Sequence, residues 1–271
     1  MDKLFSLEGK TAVITGGSGI LGRGFCKVLA EYGANVAIVD LKQSDVDRVA
    51  SDISGSVQEN KLLPIQCDIT DPKSLKKMLA QIIEKFGKIN ILHNNAGSKS
   101  ENHRDFFEKF EDYDYKVWQD IMRVNIDGMF LTTQLVGKHM VDHGQGGSII
   151  NTASIYGVVA PDQSIYKGSE YLGVEINTPA VYSTSKAAVI GFSKYLATYW
   201  AHDNIRVNIL TPGGIESGQN ETFKKNYSSR VPLGRMGMAN ELHGALLFLA
   251  SDAASYVTGQ NIIVDGGLTC W

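Results

Sequence analysis

The chain has 271 residues, of which 43% are hydrophobic and 20% charged, so it carries ample apolar material for a core. Its formal net charge of −3 argues against a nucleic-acid-binding protein, whose mark is a concentrated basic surface. No apolar segment is long enough to span a bilayer, and the N-terminus lacks the pattern of a signal peptide. Three widely spaced cysteines without a CxxC pair argue against a disulfide framework. We therefore expect a cytoplasmic protein.

Short apolar runs alternate with helical patterns along the chain. The runs that predict strands lie at residues 11–15, 36–39, 62–67, 89–93, 148–151, 206–210 and 262–264. The helical patterns occupy roughly residues 20–32, 71–87, 114–143, 181–202 and 239–251. Strands that are apolar throughout are buried on both faces, as in a parallel sheet covered by helices. The sequence predicts an α/β protein, in which residues 1–271 form a single domain with a doubly wound, three-layer parallel sheet of about seven strands.

A glycine-rich segment, Thr-Gly-Gly-Ser-Gly-Ile-Leu-Gly at 15–22, follows the first strand and opens the first helix. Glycine at such a turn lets the backbone come close to a pyrophosphate, and the helix N-terminus offers free N–H groups to the anion. A plain turn is the alternative, but the strand–turn–helix setting favours a dinucleotide-binding loop. The predicted contacts are Gly16, Gly17, Ser18, Gly19, Ile20, Leu21 and Gly22.

Asp40 ends the second strand, about 20 residues beyond the loop, with Leu41 next to it. A carboxylate at this point accepts hydrogen bonds from the adenosine ribose hydroxyls and repels the 2′-phosphate of NADP. The sequence therefore predicts NAD as the cofactor. The alternative is that Asp40 only caps the strand end, and the nearby Lys42 does not reverse the prediction.

Tyr182 and Lys186 lie four residues apart in a predicted helix, so they share one face. A phenol titrates near pH 10 when unperturbed, which is too high for a base at neutral pH. A nearby ammonium group and a positive nicotinamide ring both favour the phenolate and lower this pKa. The phenolate is then able to take the proton of an alcohol as hydride leaves for the cofactor.

These motifs, together with Asn94-Asn95-Ala96-Gly97, Asn125, Ser154 and Pro212-Gly213, occur in an order that resembles the short-chain dehydrogenase/reductase family. The resemblance runs from about Leu7 to Gly267 and implies a Rossmann fold. It implies that Tyr182 is the general acid/base and that Lys186 binds the nicotinamide ribose and acidifies the tyrosine.

The same resemblance implies roles for further residues. Ser154 matches the serine that holds the substrate oxygen, and Asn125 the asparagine that supports a water-linked proton path. Further cofactor contacts are implied at Asp68, Ile69, Asn95, Ala96, Gly97, Pro212, Gly213, Ile215 and Ser217. The family also implies a homodimer or homotetramer.

Three features depart from the family pattern. The loop reads TGxxGxxG, a form more typical of a larger sugar-nucleotide branch, and Ser217 stands where threonine is usual. Ser154 and Tyr182 are 28 positions apart, much further than is usual in the family. We expect the additional segment, 160–180, to be an inserted loop that shapes the substrate pocket. A solvated surface excursion is the alternative.

The loops expected around the substrate are polar, which favours a hydroxyl-rich small molecule such as a sugar, sugar acid or activated amino sugar. The sequence also resembles sugar-acid oxidoreductases and those of bacterial surface-sugar pathways. Candidates to bind an anionic group, each with a solvated charge as the alternative, are Lys99, Arg104, Lys167, Lys224, Lys225 and Arg230. His139 and His143 lack a third ligand, so no metal site is predicted.

We therefore expect an NAD(H)-dependent oxidoreductase that interconverts a secondary alcohol and a ketone. Two alternatives remain open at this point. One is an NAD-binding redox sensor or regulatory protein, since fold does not fix function. The other is a sugar-nucleotide epimerase or dehydratase that recycles its NAD.

Overall fold

The computed structural model describes residues 3–100, 102–171 and 173–271. Glu101 and Leu172, which fall in the two predicted substrate-side loops, lie outside the described residues, as do Met1 and Asp2. The strands of the main sheet are β1 Thr11–Thr15, β2 Asn35–Asp40, β3 Leu62–Gln66, β4 Ile91–Asn94, β5 Gly147–Thr152, β8 Ile205–Pro212 and β9 Asn261–Val264. All neighbouring pairs are parallel, in the order β3-β2-β1-β4-β5-β8-β9. The predicted seven-stranded parallel sheet is confirmed.

Helices cover both faces of this sheet. They are α1 Gly22–Glu31, α2 Gln43–Ser54, α3 Pro72–Phe86, α4 His103–Phe106, α5 Tyr115–Met122, α6 Met129–His143, α7 Ala180–Tyr199, α8 Glu221–Ser228 and α9 His243–Ala250. Alternate strand residues enter two separate apolar clusters: Ile14 packs with α1, α2 and α9, and Val13 packs with α3, α6 and α7. The three-layer arrangement follows, because each face of the sheet needs its own cover. None of the helices in the described ranges combines the length and apolar character that a bilayer crossing requires.

Several elements differ from the sequence-based expectations. Helix α2 was not predicted, because its buried stripe is only Val46, Val49 and Ile53 among polar residues. The helix predicted over 114–143 is interrupted by a π-helical turn, Arg123–Gly128, between α5 and α6. Such turns are frequent at functional sites, and this one contains Asn125.

The segment 160–180, which the sequence analysis expects to be an insertion, has structure of its own. A short 3-10 helix, Gln163–Tyr166, precedes a two-stranded antiparallel hairpin of β6 Glu170–Tyr171 and β7 Val174–Glu175. Ile165, Tyr166 and Ile176 are buried in a separate apolar cluster with residues of α8. Part of this segment is therefore packed into the protein.

The order of the strands creates a crevice at the carboxyl ends of β1 and β4. From β1 the chain proceeds to β2 on one side, and β4 lies on the other side. Such a reversal separates the loops that follow the two strands, and ligands of open α/β sheets bind there.

One fully buried polar side chain, His93 of β4, connects the centre of the sheet to the edge of this crevice. Its Nε2 lies 2.8 Å from the hydroxyl of Thr152, at the end of β5. Its Nδ1 is buried without a hydrogen-bond partner, and its ring packs on that of Phe25, with 4.8 Å between centroids. Burial lowers the pKa of His93 from about 6.5 to about 3, so the imidazole is neutral in the folded protein at neutral pH.

We predict that His93 makes the protein sensitive to acid. Below about pH 6.5, His93 is protonated in the unfolded chain but stays neutral in the folded protein. The free energy of unfolding therefore falls as the pH drops towards 3. One such group contributes a slope of up to about 1.4 kcal/mol per pH unit. The measurement is urea unfolding between pH 4 and 7 at one protein concentration.

In His93→Gln, an amide replaces the imidazole and cannot titrate, so the slope should be shallower. The matched control is His202→Gln, because His202 is exposed. Identical slopes for the wild type and His93→Gln would contradict this prediction.

Candidate active site

The glycine-rich loop after β1 has a backbone that tolerates no side chains at its closest points. Gly16 has a φ of +64°, and a Cβ at Gly22 would lie 2.0 Å from the carbonyl oxygen of Gly16. A Cβ at Gly17 would lie 2.8 Å from the Ile38 side chain. The loop therefore lies tight against the start of α1. This shape fits the pyrophosphate of a dinucleotide.

The hydroxyl of Thr15 fastens the two sides of the crevice. It accepts hydrogen bonds from the backbone N–H groups of Asn95 and Ala96, each at 3.1 Å, and lies 3.5 Å from the His93 carbonyl oxygen. The Asn95 side chain donates in turn to the carbonyl oxygens of Thr15 and Gly16. The turn after β4 is thereby held against the glycine-rich loop.

Most of the predicted site residues line one cavity of about 1230 Å³ at this edge of the sheet. They are Gly16, Ser18, Gly19, Ile20, Leu21, Asp40, Leu41, Asp68, Ile69, Asn95, Ala96, Gly97, Asn125, Ser154, Tyr182, Lys186, Pro212, Gly213, Ile215 and Ser217. Gly17 and Gly22 do not line it. They lie beneath the loop, where the missing side chains allow it to pack against β2 and α1.

Asp40 stands at the rim of the cavity, at the end of β2. Its Oδ2 accepts hydrogen bonds from the backbone N–H and the hydroxyl of Ser18, at 3.0 and 2.6 Å, and its Oδ1 accepts one from Leu41 N–H at 2.8 Å. The carboxylate thus joins the glycine-rich loop to the end of the strand. Its Oδ1 retains room for a further donor, because a carboxylate oxygen accepts about two hydrogen bonds.

Helix α7 carries the tyrosine and the lysine, one turn apart. The Nζ of Lys186 lies 6.0 Å from the centre of the Tyr182 ring and donates to the carbonyl oxygen of Thr152 at 3.0 Å. Lys186 is only 8% exposed, and burial lowers its pKa to about 8. The hydrogen bond to β5 therefore orients an amine that is still mostly protonated at neutral pH but releases its proton more readily than an exposed lysine.

The surroundings of Tyr182 shift its pKa in a direction that the sequence did not predict. Burial raises the pKa of Tyr182, and the hydrogen bond with Ser154 only partly opposes this shift. The lysine that was expected to acidify the phenol is itself buried and less readily protonated. The protein alone therefore keeps Tyr182 as a phenol.

Ser154 and Asn125 position the elements around the tyrosine. The Ser154 hydroxyl accepts from Tyr156 N–H at 3.3 Å, besides its hydrogen bond with Tyr182. Asn125 accepts from Ser98 N–H at 2.7 Å and donates to the Ser185 hydroxyl at 3.2 Å, so it joins the loop after β4 to α7.

Beyond Ser154, the cavity is walled by aromatic and hydroxyl groups. The wall residues from the insertion and its neighbours are Phe107, Tyr156, Tyr166, Tyr171, Ile176, Thr178, Phe223, Tyr227 and Met236. Sequence reasoning did not place Tyr156 or Thr152 in the site. Their positions, immediately around Ser154, were the signal that was available.

Of the six candidate cations, only Lys99 lines the cavity. Arg230 forms an ion pair with Asp162, and Lys224 forms one with Glu221 at 3.2 Å. Lys167, Lys225 and Arg104 do not line the cavity. Arg123 of the π-helical turn, which the sequence analysis did not single out, does line it.

The chain is similar to known proteins along nearly its whole length. A family model described as short chain dehydrogenase matches residues 10–228. An NAD-dependent glycerol dehydrogenase from Listeria innocua is 34% identical over 276 residues, which cover 99% of this chain and 97% of that protein.

Two solved structures have the same fold. A short chain dehydrogenase from Leptospira borgpetersenii with bound NAD+ is 37% identical, with a TM-score of 0.84, covering 97% of this chain and 93% of that one. A gluconate 5-dehydrogenase from Burkholderia cenocepacia, in complex with NADP and tartrate, is 30% identical, with a TM-score of 0.85, covering 99% of this chain and 98% of that one. The chain therefore belongs to the short-chain dehydrogenase family, and it is an oxidoreductase that uses a nicotinamide cofactor and a small-molecule substrate.

Proposed function

We propose that this enzyme uses NAD(H) to interconvert a secondary alcohol and a ketone on a carbohydrate or a related hydroxyl-rich molecule. The proposal rests on one observation: Ser154, Tyr182 and Lys186 line the same cavity as the glycine-rich loop. The similarity to a glycerol dehydrogenase and a gluconate dehydrogenase supports this class of substrate.

In the oxidation direction, the Ser154 hydroxyl and the Tyr182 oxygen hold the alcohol group. Tyr182, as phenolate, accepts the O–H proton, and the Lys186 ammonium stabilises the charge of that phenolate. The oxidised nicotinamide supplies the acceptor for the hydride that leaves the carbinol carbon, and its positive charge favours the phenolate. In reduction, the phenol returns its proton to the ketone oxygen.

We also propose that the enzyme assembles as a homodimer or homotetramer. Three aromatic side chains are well exposed on α6 and α7: Phe130, Tyr195 and Tyr199. Exposed apolar groups that lie together often mark interfaces between subunits. Light scattering on the purified protein measures the assembly directly.

One prediction from the proposed function concerns catalysis by Tyr182. Tyr182→Phe removes the proton donor and acceptor while keeping the ring, so kcat/KM should fall by about 10²- to 10⁴-fold. The measurement is NADH formation with polyols, sugars and sugar acids. Tyr256→Phe, a change at a fully exposed tyrosine that does not line the cavity, should leave the rate unchanged.

Each result of this assay separates the candidate functions. NADH formation that is lost in Tyr182→Phe supports the proposal. Substrate conversion without net NADH indicates an epimerase or dehydratase that recycles its cofactor. Binding of NAD without turnover of any compound indicates a sensor.

Another prediction concerns the choice between NAD and NADP. The Asp40 carboxylate should repel a 2′-phosphate, so the wild type should bind NAD more tightly. Asp40→Asn removes the charge of this side chain and keeps its shape. We expect it to reduce the ratio of the NADP dissociation constant to the NAD dissociation constant by about tenfold, or about 1.4 kcal/mol.

Calorimetric titration of each cofactor measures these constants. Asp45→Asn is the control, because Asp45 lies on α2 and is paired with Arg48 at 3.1 Å. Tighter binding of NADP than of NAD by the wild type would overturn the assignment of the cofactor.

A further inference from the structure

Three hydroxyl groups meet in the wall of the cavity beyond Ser154. The Tyr166 hydroxyl lies 3.3 Å from the Tyr156 hydroxyl and 2.5 Å from the Thr178 hydroxyl. Tyr166 and Thr178 are each 8% exposed, and all three residues line the cavity. We call these three groups the hydroxyl trio.

The hydroxyl trio is able to form further hydrogen bonds. Three hydroxyls carry three protons, and the two hydrogen bonds that join them use two of these. One O–H proton and several oxygen lone pairs therefore remain for another molecule. A group of this kind matches a hydroxyl, which both donates and accepts.

The hydroxyl trio is also close to the reacting centre. Tyr156 follows Ser154 by two residues, and its backbone N–H donates to the Ser154 hydroxyl. Tyr166 and Tyr182 are near enough to interact electrostatically. A molecule whose alcohol oxygen lies between Ser154 and Tyr182 thus has the hydroxyl trio beside it.

The surrounding structure holds the hydroxyl trio in place. Gln163 and Thr178 are joined by two side-chain-to-backbone hydrogen bonds, at 2.8 and 3.2 Å, which close the insertion on itself. Asn226 of α8 donates to the Ile165 carbonyl oxygen, and the Tyr166 ring stacks on Phe223 at 5.4 Å. Such preorganisation reduces the entropy that binding has to overcome.

We propose that the hydroxyl trio binds a second hydroxyl of the substrate, one that is not oxidised, and thereby selects neutral polyols. The inference rests on the proposed function, since it places the reacting alcohol at Ser154 and Tyr182. The trio itself carries no charge, and the lysines and arginines that line the rest of the cavity are Lys99, Arg123 and Lys186. A carboxylate placed at the trio therefore has no cationic group among the three partners, whereas a hydroxyl finds both donor and acceptors.

The experiment compares an alditol with its series of monodeoxy analogues, each lacking one of the hydroxyls that do not react. For the wild type, kcat/KM should fall about tenfold for one of these analogues, which is the effect of one lost hydrogen bond. In Tyr166→Phe and in Thr178→Val this tenfold difference between the alditol and the analogue should disappear, because the hydroxyl of the protein that binds the substrate hydroxyl is already missing. The loss on the intact alditol should appear mainly in KM.

A matched control separates binding from a merely structural role. Tyr113→Phe removes a hydroxyl that donates to the Phe106 carbonyl oxygen and does not line the cavity, so the tenfold difference should persist in it. Two results for Tyr166→Phe would overturn the inference. One is an equal decrease in kcat/KM for the alditol and all its analogues, and the other is an unchanged tenfold difference between the alditol and one analogue.

Two further results distinguish a failure of this inference from a failure of the proposed function. A preference for aldonates over alditols that Lys99→Met abolishes would overturn the selection of neutral polyols and leave the dehydrogenase activity intact. Absence of turnover of every alcohol by the wild type would overturn the proposed function, and with it this inference.

Discussion

The hydroxyl of Thr15 sets the geometry on which the whole crevice depends. At the point where the strand order reverses, β1 and β4 send their loops in opposite directions, and the backbone groups that follow β4 lose their partners in the sheet. Thr15, which is fully buried, supplies an acceptor for two of these N–H groups. The glycine-rich loop and the turn at Asn95 are consequently fixed to each other, and the cavity opens between them.

The sheet was predictable because burial on both faces requires continuous apolar runs, and β1 and β2 show such runs plainly. Helix α2 was not predictable, because it covers the edge of the sheet with only three buried apolar residues. So sparse a pattern also fits a loop. The π-helical turn at Asn125 was likewise hidden, because one extra residue in a helix leaves no clear change in composition. Only packing against the neighbouring elements reveals it.

For the site, the sequence predicted which residues meet, but not the electrostatics that result. Motif order placed Ser154, Tyr182 and Lys186 in one cavity. The upward shift of the Tyr182 pKa depends on how completely α7 and the insertion exclude water, which spacing does not encode. Burial opposes charge on both the phenol and the amine, so this pocket favours neutral groups until a further charge is introduced.

The two hydrogen bonds between Gln163 and Thr178 also separate the insertion from the rest of the chain. They bring together residues only 15 positions apart, so the segment forms a closed loop whose ends stay fixed whatever lies between them. The entropic cost of closing such a loop rises only slowly with its length. Exposed residues between this pair, such as Glu170 and Glu175, are therefore free to change during evolution without disturbing the sheet, whereas Ile165 and Tyr166 are held by their buried packing. The hairpin, whose Tyr171 lines the cavity, is thus the natural place for new substrate preferences to arise.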